Sequence, residues 1–366
     1  MIPYGRQNID SNDIKAVLNT LKSEFLTQGP KILEFEKAVA KYCGAKYAVA
    51  VSNGTTALHL AYLVAGIKKN DEVITSPNTF AATTNMLIAV GAKPIFCDIK
   101  TGTYNLNEKE IKNLITKKTK AIIPVHFAGH PCEMDIIRRV AKKHKLIVIE
   151  DACHALGAKY KNKKIGDIGD MTVFSFHPVK QITTGEGGMV VTNNKRYYEK
   201  LLSLRSHGIH KDKNGKNVMT ELGYNYRMTD IQAALGESQL KRLDSFIKKR
   251  KQIVSWYKKE LSSVKEIILP EELNNVRSGW HLYIIRTKKK SDRDKLSKYL
   301  KKNRIGVNFH YPAVYSHPYY RKNGYKNKKL KNTELYQNSC ITLPLHTELS
   351  KKDVVYISNK IKEFYE

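Results

Sequence analysis

The apolar residues of this chain follow two rhythms. Near the start, SNDIKAVLNTLK (11–22) opens on capping residues and sets Ile14, Val17, Leu18 and Leu21 on one face of a predicted helix. Residues 30–42 repeat the arrangement with Leu33, Phe35 and Val39. After Gly44, short unbroken apolar runs take over. AVAVS (48–52), EVITSP (72–77), PIFCDI (94–99), AIIPVHF (121–127) and LIVIED (146–151) read as buried strands. Between them lie the helical stretches NGTTALHLAYLVAG (53–66), AATTNMLIAVG (81–91) and 133–144. Strands of this kind alternating with helices predict an α/β fold, with a mainly parallel central sheet flanked by helices.

Two more strands, MTVFSF (171–176) and GGMVVT (187–192), close this region and are expected to run antiparallel to part of the sheet. Segment 206–228, rich in Gly, His, Asn and Tyr, reads as an extended loop, followed by a helix over 229–243. A charged helix over 244–261 then bridges to a smaller α/β part. That part holds a strand at HLYIIRT (281–287), a helix at SDRDKLSKYLKKN (291–303) and a terminal helix over 351–365. For 366 residues two domains are expected: 1–243, large and with an N-terminal arm, and 244–366, smaller. Basic clusters at 288–304 and 322–331 fall mostly on helices or turns.

Charge alters this picture less than its size suggests. Lys plus Arg number 64 against 34 Asp plus Glu, a formal net charge of +30 that raises the question of nucleic acid. Only 13 of those cations are Arg, and the 51 Lys are spread along the whole chain. Forked recognition of phosphate and bases favours Arg, so the charge reads as solvated faces and no nucleic-acid partner is expected. No stretch approaches the roughly 18 apolar residues of a membrane helix, and MIPYGRQNIDSND lacks the pattern of a signal peptide. The five cysteines are odd in number and form no C-x-x-C pair, which fits reduced thiols and a cytoplasmic location. His126 and His130 are spaced like a metal pair, but Gly129 and Pro131 flank the second, so a shared helical face and a metal site are not expected.

Three stretches could carry chemistry. In VFSFHPVKQITTGEGGMVV (173–191), Lys180 sits between an apolar strand and a Gly-rich turn. A buried amine there has a lowered pKa and can attack a carbonyl, whereas an ordinary lysine is a solvated cation. In VIEDACHALGA (148–158), Asp151 ends an apolar strand, where open α/β sheets bind ligands. It could pair with a protonated ring nitrogen or simply cap a helix over ACHAL. His154 could bond a ligand or fill a half-buried position. In SNGTTALHL (52–60), Gly54, Thr55 and Thr56 open a helix whose free N–H groups suit a single phosphate, or an ordinary cap. Neither the P-loop pattern nor G-x-G-x-x-G is present.

A phosphate turn, a strand-end acid and a lysine, in that order, are the contacts that pyridoxal phosphate needs. With LTQGPKILEFEKAVAKYCGAKYAVAVSNGTTAL, EDACHALGA, FSFHPVKQITTGEGG, GYNYRMTDIQAALGESQL and the HYP element at 310–312, nearly the whole chain resembles the DegT-type sugar-nucleotide aminotransferases. These belong to the fold-type I pyridoxal-phosphate-dependent transferases. The resemblance implies that Lys180 bonds the cofactor and shuttles a proton, and that Asp151 keeps the pyridine nitrogen protonated. It further implies that Gly54, Thr55 and Ser175 hold the phosphate and Phe80 stacks on the ring. His154 stands where many relatives carry Gln beside the phenolic oxygen. Asn225 would reach the cofactor of a neighbouring subunit, which makes a homodimer with shared sites the expected assembly.

FHPVK, with His177 and Pro178, resembles one branch, the UDP-4-amino-4,6-dideoxy-N-acetyl-β-L-altrosamine transaminases of pseudaminic acid biosynthesis. The resemblance then implies L-glutamate as amino donor and a UDP-linked 4-keto sugar as acceptor. Tyr4, Arg6, His310 and Tyr311 would touch the nucleotide sugar, or serve as surface and interdomain packing. Other UDP- or dTDP-amino-sugar transaminases are the alternative. Sugar dehydratases of the family replace the lysine, so Lys180 favours transamination.

Overall fold

The computed structural model describes residues 1–325 and 330–366. A seven-stranded sheet runs through its centre. β1 (Tyr47–Val51), β2 (Glu72–Thr75), β3 (Lys93–Phe96), β4 (Thr119–Ile123), β5 (Ile147–Asp151), β6 (Met171–Ser175) and β7 (Gly188–Thr192) lie in the order β1-β7-β6-β5-β4-β2-β3. The pairs β2–β3, β2–β4, β4–β5 and β5–β6 are parallel. β7 pairs antiparallel with both β1 and β6. The expected antiparallel direction therefore belongs to 187–192 and not to 171–176. The chain crosses over between β5 and β6 and re-enters the sheet in the same sense, whereas between β6 and β7 it folds straight back. That return closes tightly, with Ser175 facing Gly188 and Phe176 N–H donating to Gly187 O at 2.8 Å.

Both faces of the sheet are covered, as unbroken apolar strands require. Phe35, Ile122, Phe174 and Met189 belong to the core on one face; Leu58, Tyr62, Ile149 and Val190 belong to the core on the other. Of the first four helices, α2 (Pro30–Cys43) serves the first core and α3 (Gly54–Val64) and α4 (Ala82–Ala89) the second. α1 (Ser11–Leu21) behaves differently. Its predicted apolar face does not pack inward: Ile14, Leu18 and Leu21 are 54%, 48% and 50% exposed. The side turned inward carries Asp13, which accepts from Ser238 Oγ and Gln239 Nε2, each at 2.6 Å, on the helix Asp230–Lys241. Leu33 of α2 is exposed as well, while Phe35 and Val39 are fully buried.

The segment 206–228 is not one extended loop. It contains an antiparallel hairpin, Ile209–Lys211 with Asn217–Met219, which Gly215 turns at a φ of 76°. The charged helix spans Leu243–Leu261 and buries Phe246, Ile253, Tyr257 and Leu261. Beyond it, Ile267–Ile268, Tyr283–Thr287 and Cys340–Leu343 form a three-stranded antiparallel sheet. Helices Lys290–Lys302 and Lys351–Tyr365 complete a core that includes Tyr257, Leu296, Ile341 and Ile357. Ile2 bridges to Ile305 and packs on this same core, so the first residues of the chain lie on its C-terminal layer. The middle of the basic cluster at 322–331, residues 326–329, lies outside the described residues. Among the described residues, no helix is long and apolar enough to cross a membrane.

Candidate active site

β5, β6 and the helix starts after β1 and β2 converge on a cavity of about 930 Å³. It brings together Tyr4, Gly54, Thr55, Phe80, Asp151, His154, Ser175, Lys180, His310 and Tyr311 from segments spread over three hundred positions. Arg6 and Asn225 are not on its wall. Arg6 is exposed and borders a separate small cavity behind Lys180. Asn225 is exposed and meets Ser206 through a backbone bridge.

One end of the cavity is the start of α3. Asn53 caps this helix, its side chain accepting from Thr56 N–H at 2.9 Å. The N–H groups of Gly54 and Thr55 precede the first intrahelical bond and remain available to an anion. Ser175 closes in from the end of β6: a Cβ on Gly54 would stand 3.0 Å from the Ser175 Cβ. Gly188 is crowded too, since a Cβ there would stand 2.4 Å from the Asn53 carbonyl oxygen. The two glycines let helix start and strand ends approach closely enough to form a cradle.

Asp151 occupies the floor. It caps no helix, because residues 152–158 run as turns. Its Oδ2 accepts from Thr83 Oγ1 at 2.6 Å and its Oδ1 from Cys153 N–H at 3.2 Å, and it is 5% exposed. Lys180 stands half-buried in the turn after β6, with its backbone N–H donating to His177 O at 2.9 Å. Burial lowers its pKa below the ordinary lysine value, a shift that the Asp151 carboxylate opposes.

The far wall comes from the C-terminal layer. Tyr311 Oη lies 3.1 Å from His154 Nε2, and His310 Nδ1 lies 2.8 Å from Thr342 Oγ1. Burial, then the neighbouring Lys180 and His310 charges, holds His154 well below the usual imidazole range. His310 is pushed down to about 4 by burial and Lys180. The ring of Phe80 is 60% exposed at the cavity edge, 6.1 Å between centroids from Tyr311. Sequence reasoning passed over two participants, Thr83 and His281. His281 is buried with its ring 4.4 Å from that of His154, and burial also depresses its pKa. Neither sits in a distinctive motif; the parallel sheet and the C-terminal layer deliver them.

The two histidines spaced like a metal pair are engaged elsewhere. His126 Nε2 lies 2.8 Å from Glu150 Oε2, while His130 Nδ1 donates to Pro131 O at 2.8 Å and its Nε2 accepts from Leu273 N–H at 3.3 Å.

The family model for DegT/DnrJ/EryC1/StrS aminotransferases matches residues 7–362. This chain belongs to that family. A UDP-4-amino-4,6-dideoxy-N-acetyl-beta-L-altrosamine transaminase from Campylobacter jejuni is 41% identical, over 99% of this chain and 96% of the relative. Among solved structures, Helicobacter pylori PseC, an aminotransferase involved in the biosynthesis of pseudoaminic acid, superposes with a TM-score of 0.95 at 34% identity. It covers 100% of this chain and 99% of PseC. A sugar aminotransferase from Streptococcus pneumoniae, solved in its PMP form, gives 0.96 at 32% identity over 100% of this chain and 99% of its own.

This DegT-family member is thus a pyridoxal-phosphate-dependent sugar aminotransferase with the α/β fold of its solved relatives. The cavity's residues fit the cofactor. A glycine-walled helix start suits its phosphate, and a nearly buried carboxylate suits its ring nitrogen. A desolvated amine suits its aldehyde, and the buried Nδ1 of His154 has no partner among the described residues.

Proposed function

We propose that this enzyme aminates a UDP-linked 4-keto-6-deoxy-N-acetylhexosamine with L-glutamate, giving UDP-4-amino-4,6-dideoxy-N-acetyl-β-L-altrosamine and 2-oxoglutarate, as a step of pseudaminic acid biosynthesis. The observation that carries the substrate is the likeness to the Campylobacter transaminase over nearly the whole length of both chains.

Pyridoxal phosphate, when bound, supplies an electron-accepting ring that lets an amino group pass from donor to acceptor. The chain supplies everything around it. Lys180 Nζ, unprotonated more readily than a surface lysine, would hold the cofactor at its aldehyde and, once released, would serve as the base for the proton at the reacting carbon. Asp151 would face the ring nitrogen and keep its proton in place. The Gly54 and Thr55 N–H groups and Ser175 Oγ would hold the phosphate, and Phe80 would offer a face to the ring. His154 would serve the phenolic oxygen. Tyr4, His310 and Tyr311 form the wall that meets the nucleotide sugar, with Arg6, on the N-terminal arm, outside the cavity.

The assembly is a homodimer that works in the cytoplasm, with 1–243 as its large domain and 244–366 as its smaller one. Two features support the dimer. Ile14, Leu18 and Leu21 leave an apolar stripe of α1 exposed, and Phe25 and Leu33 are exposed as well. Asn225, absent from its own cavity, is free to reach a neighbour's cofactor phosphate.

The deciding experiment is the visible spectrum of the purified protein with pyridoxal phosphate, before and after L-glutamate. A yellow band that glutamate bleaches, and that the UDP-4-keto sugar restores faster than dTDP-keto sugars do, is the expected result. A band that glutamate leaves unchanged would remove the donor, and faster recovery with a dTDP sugar would remove the acceptor.

A further inference from the structure

Beside Asp151 in the chain, but turned to the other side of the strand, Glu150 enters a fully buried network. Its Oε1 accepts from Gly169 N–H at 2.6 Å and Thr172 Oγ1 at 2.8 Å, and its Oε2 lies 2.8 Å from His126 Nε2. Glu150 and His126 are both 0% exposed.

The protons of this pair follow from its partners. Cys132 N–H donates to His126 Nδ1 at 3.0 Å, so that nitrogen carries no proton. A neutral imidazole has one N–H, which must sit on Nε2 and point at Glu150. Glu150 is therefore a carboxylate facing donors at both oxygens.

His126 also grips the backbone of Asp151. The β4–β5 ladder runs through Ala121–Ile147 and Ile122–Val148, then meets Pro124, which has no N–H to give. Pairing resumes only at Val125 and Asp151. There, Asp151 N–H donates to Pro124 O at 2.9 Å and His126 N–H donates to Asp151 O at 3.0 Å. The backbone of His126 thus holds Asp151, and its side chain holds Glu150, at the one place where a proline interrupts the ladder.

We propose that Glu150 and His126 are a positioning pair for Asp151, fixing where its carboxylate enters the cavity and, through it, the proton affinity of the bound cofactor. The inference rests on Asp151 being the partner of the cofactor's ring nitrogen. Neither residue touches the cavity, so both act only through their neighbour.

Glu150→Gln tests it with the shape kept. A glutamine has one accepting end, and this position faces donors on two sides, so one donor must confront the new NH₂ group and the strand end must shift. The holoenzyme's visible absorbance is titrated against pH, and its pyridoxal phosphate Kd is measured, in wild type, Glu150→Gln, Asp151→Asn and the double variant. Glu150→Gln should move the absorbance midpoint in the direction that Asp151→Asn moves it, by a smaller amount, and raise the Kd about tenfold. In the Asp151→Asn background it should add nothing further.

A lower melting temperature with midpoint and Kd unchanged would make the pair purely structural and overturn the inference. An equal shift in the Asp151→Asn background would overturn it too, by showing a route that bypasses Asp151. Should Asp151→Asn itself leave the midpoint in place, the role of Asp151 falls and the inference with it; failure of Glu150→Gln alone leaves that role standing. If Glu150→Gln does not fold, Thr172→Val removes one donor to the same carboxylate and is judged by the same outcomes.

Discussion

Thr83, in the first turn of α4, donates its hydroxyl to Asp151 Oδ2 at 2.6 Å and so ties that helix to the end of β5 at the acid of the site. A hydrogen bond to a charged group is worth about 1.5–3 kcal/mol. Thr83→Val should therefore weaken pyridoxal phosphate retention by about 10- to 100-fold while the protein still folds, as equilibrium dialysis would report. Unchanged retention would mean that Asp151 needs no such support.

Lys180→Ala should abolish the visible band and lower turnover by more than about a thousandfold. A variant with normal turnover would end the assignment of Lys180. The lowered pKa adds a second check on the same residue. The rate at which the cofactor-free protein captures pyridoxal phosphate should rise with pH about a midpoint below the ordinary lysine value of 10.5. Asp151 favours the protonated amine, so Asp151→Asn should move that midpoint lower still.

The tract on α1 predicts an assembly. Ile14→Asp with Leu18→Asp should convert a dimer to a monomer in sedimentation velocity, and the monomer should lose turnover. Asn225→Ala should leave the dimer intact and loosen the cofactor. A double variant that stays dimeric would place the interface elsewhere on the molecule.

Acid should unfold the protein through its buried imidazoles. His310 is pushed down to about 4, and His154 and His281 lie well below the usual range, burial being the first cause in each. An unfolded imidazole titrates near about 6.5, so between that value and about 4 the unfolded chain binds more protons than the fold. This contribution is fully present above pH about 6.5 and is lost as pH falls through that window. The melting temperature should drop from pH 7 to pH 4.5, and His310→Asn should flatten the drop. A slope that the substitution leaves unchanged would assign the loss to other groups.

Much of this was legible in the sequence because its signals are local. The apolar runs behind β1 to β5 are short and alternate with helical stretches, which reads as buried strands. SNGTT, EDACH and the segment around Lys180 each announce a turn at a strand end. What was illegible depends on which element lies opposite. The period of α1 yields an apolar face, yet the neighbouring helix presents Ser238 and Gln239, so Asp13 turns inward and Ile14 outward. The cap suggested for Asp151 failed because no helix follows it. The hairpin at 209–219 has exposed strands of three residues each, too short to show an alternation. Thr83 and His281 became visible only when sheet order brought distant segments together.

The stretch that carries Lys180 departs from Ser175 and lands on Gly188, two residues that face each other in adjacent strands. It is a span with both abutments on one pier. Across the cavity from it, the C-terminal layer provides His310 and Tyr311. The amine hangs from the central sheet, and the wall with His310 and Tyr311 borders the C-terminal one. On the proposed reading of that wall, changes there would admit a new ketone while the amine stays where it stands.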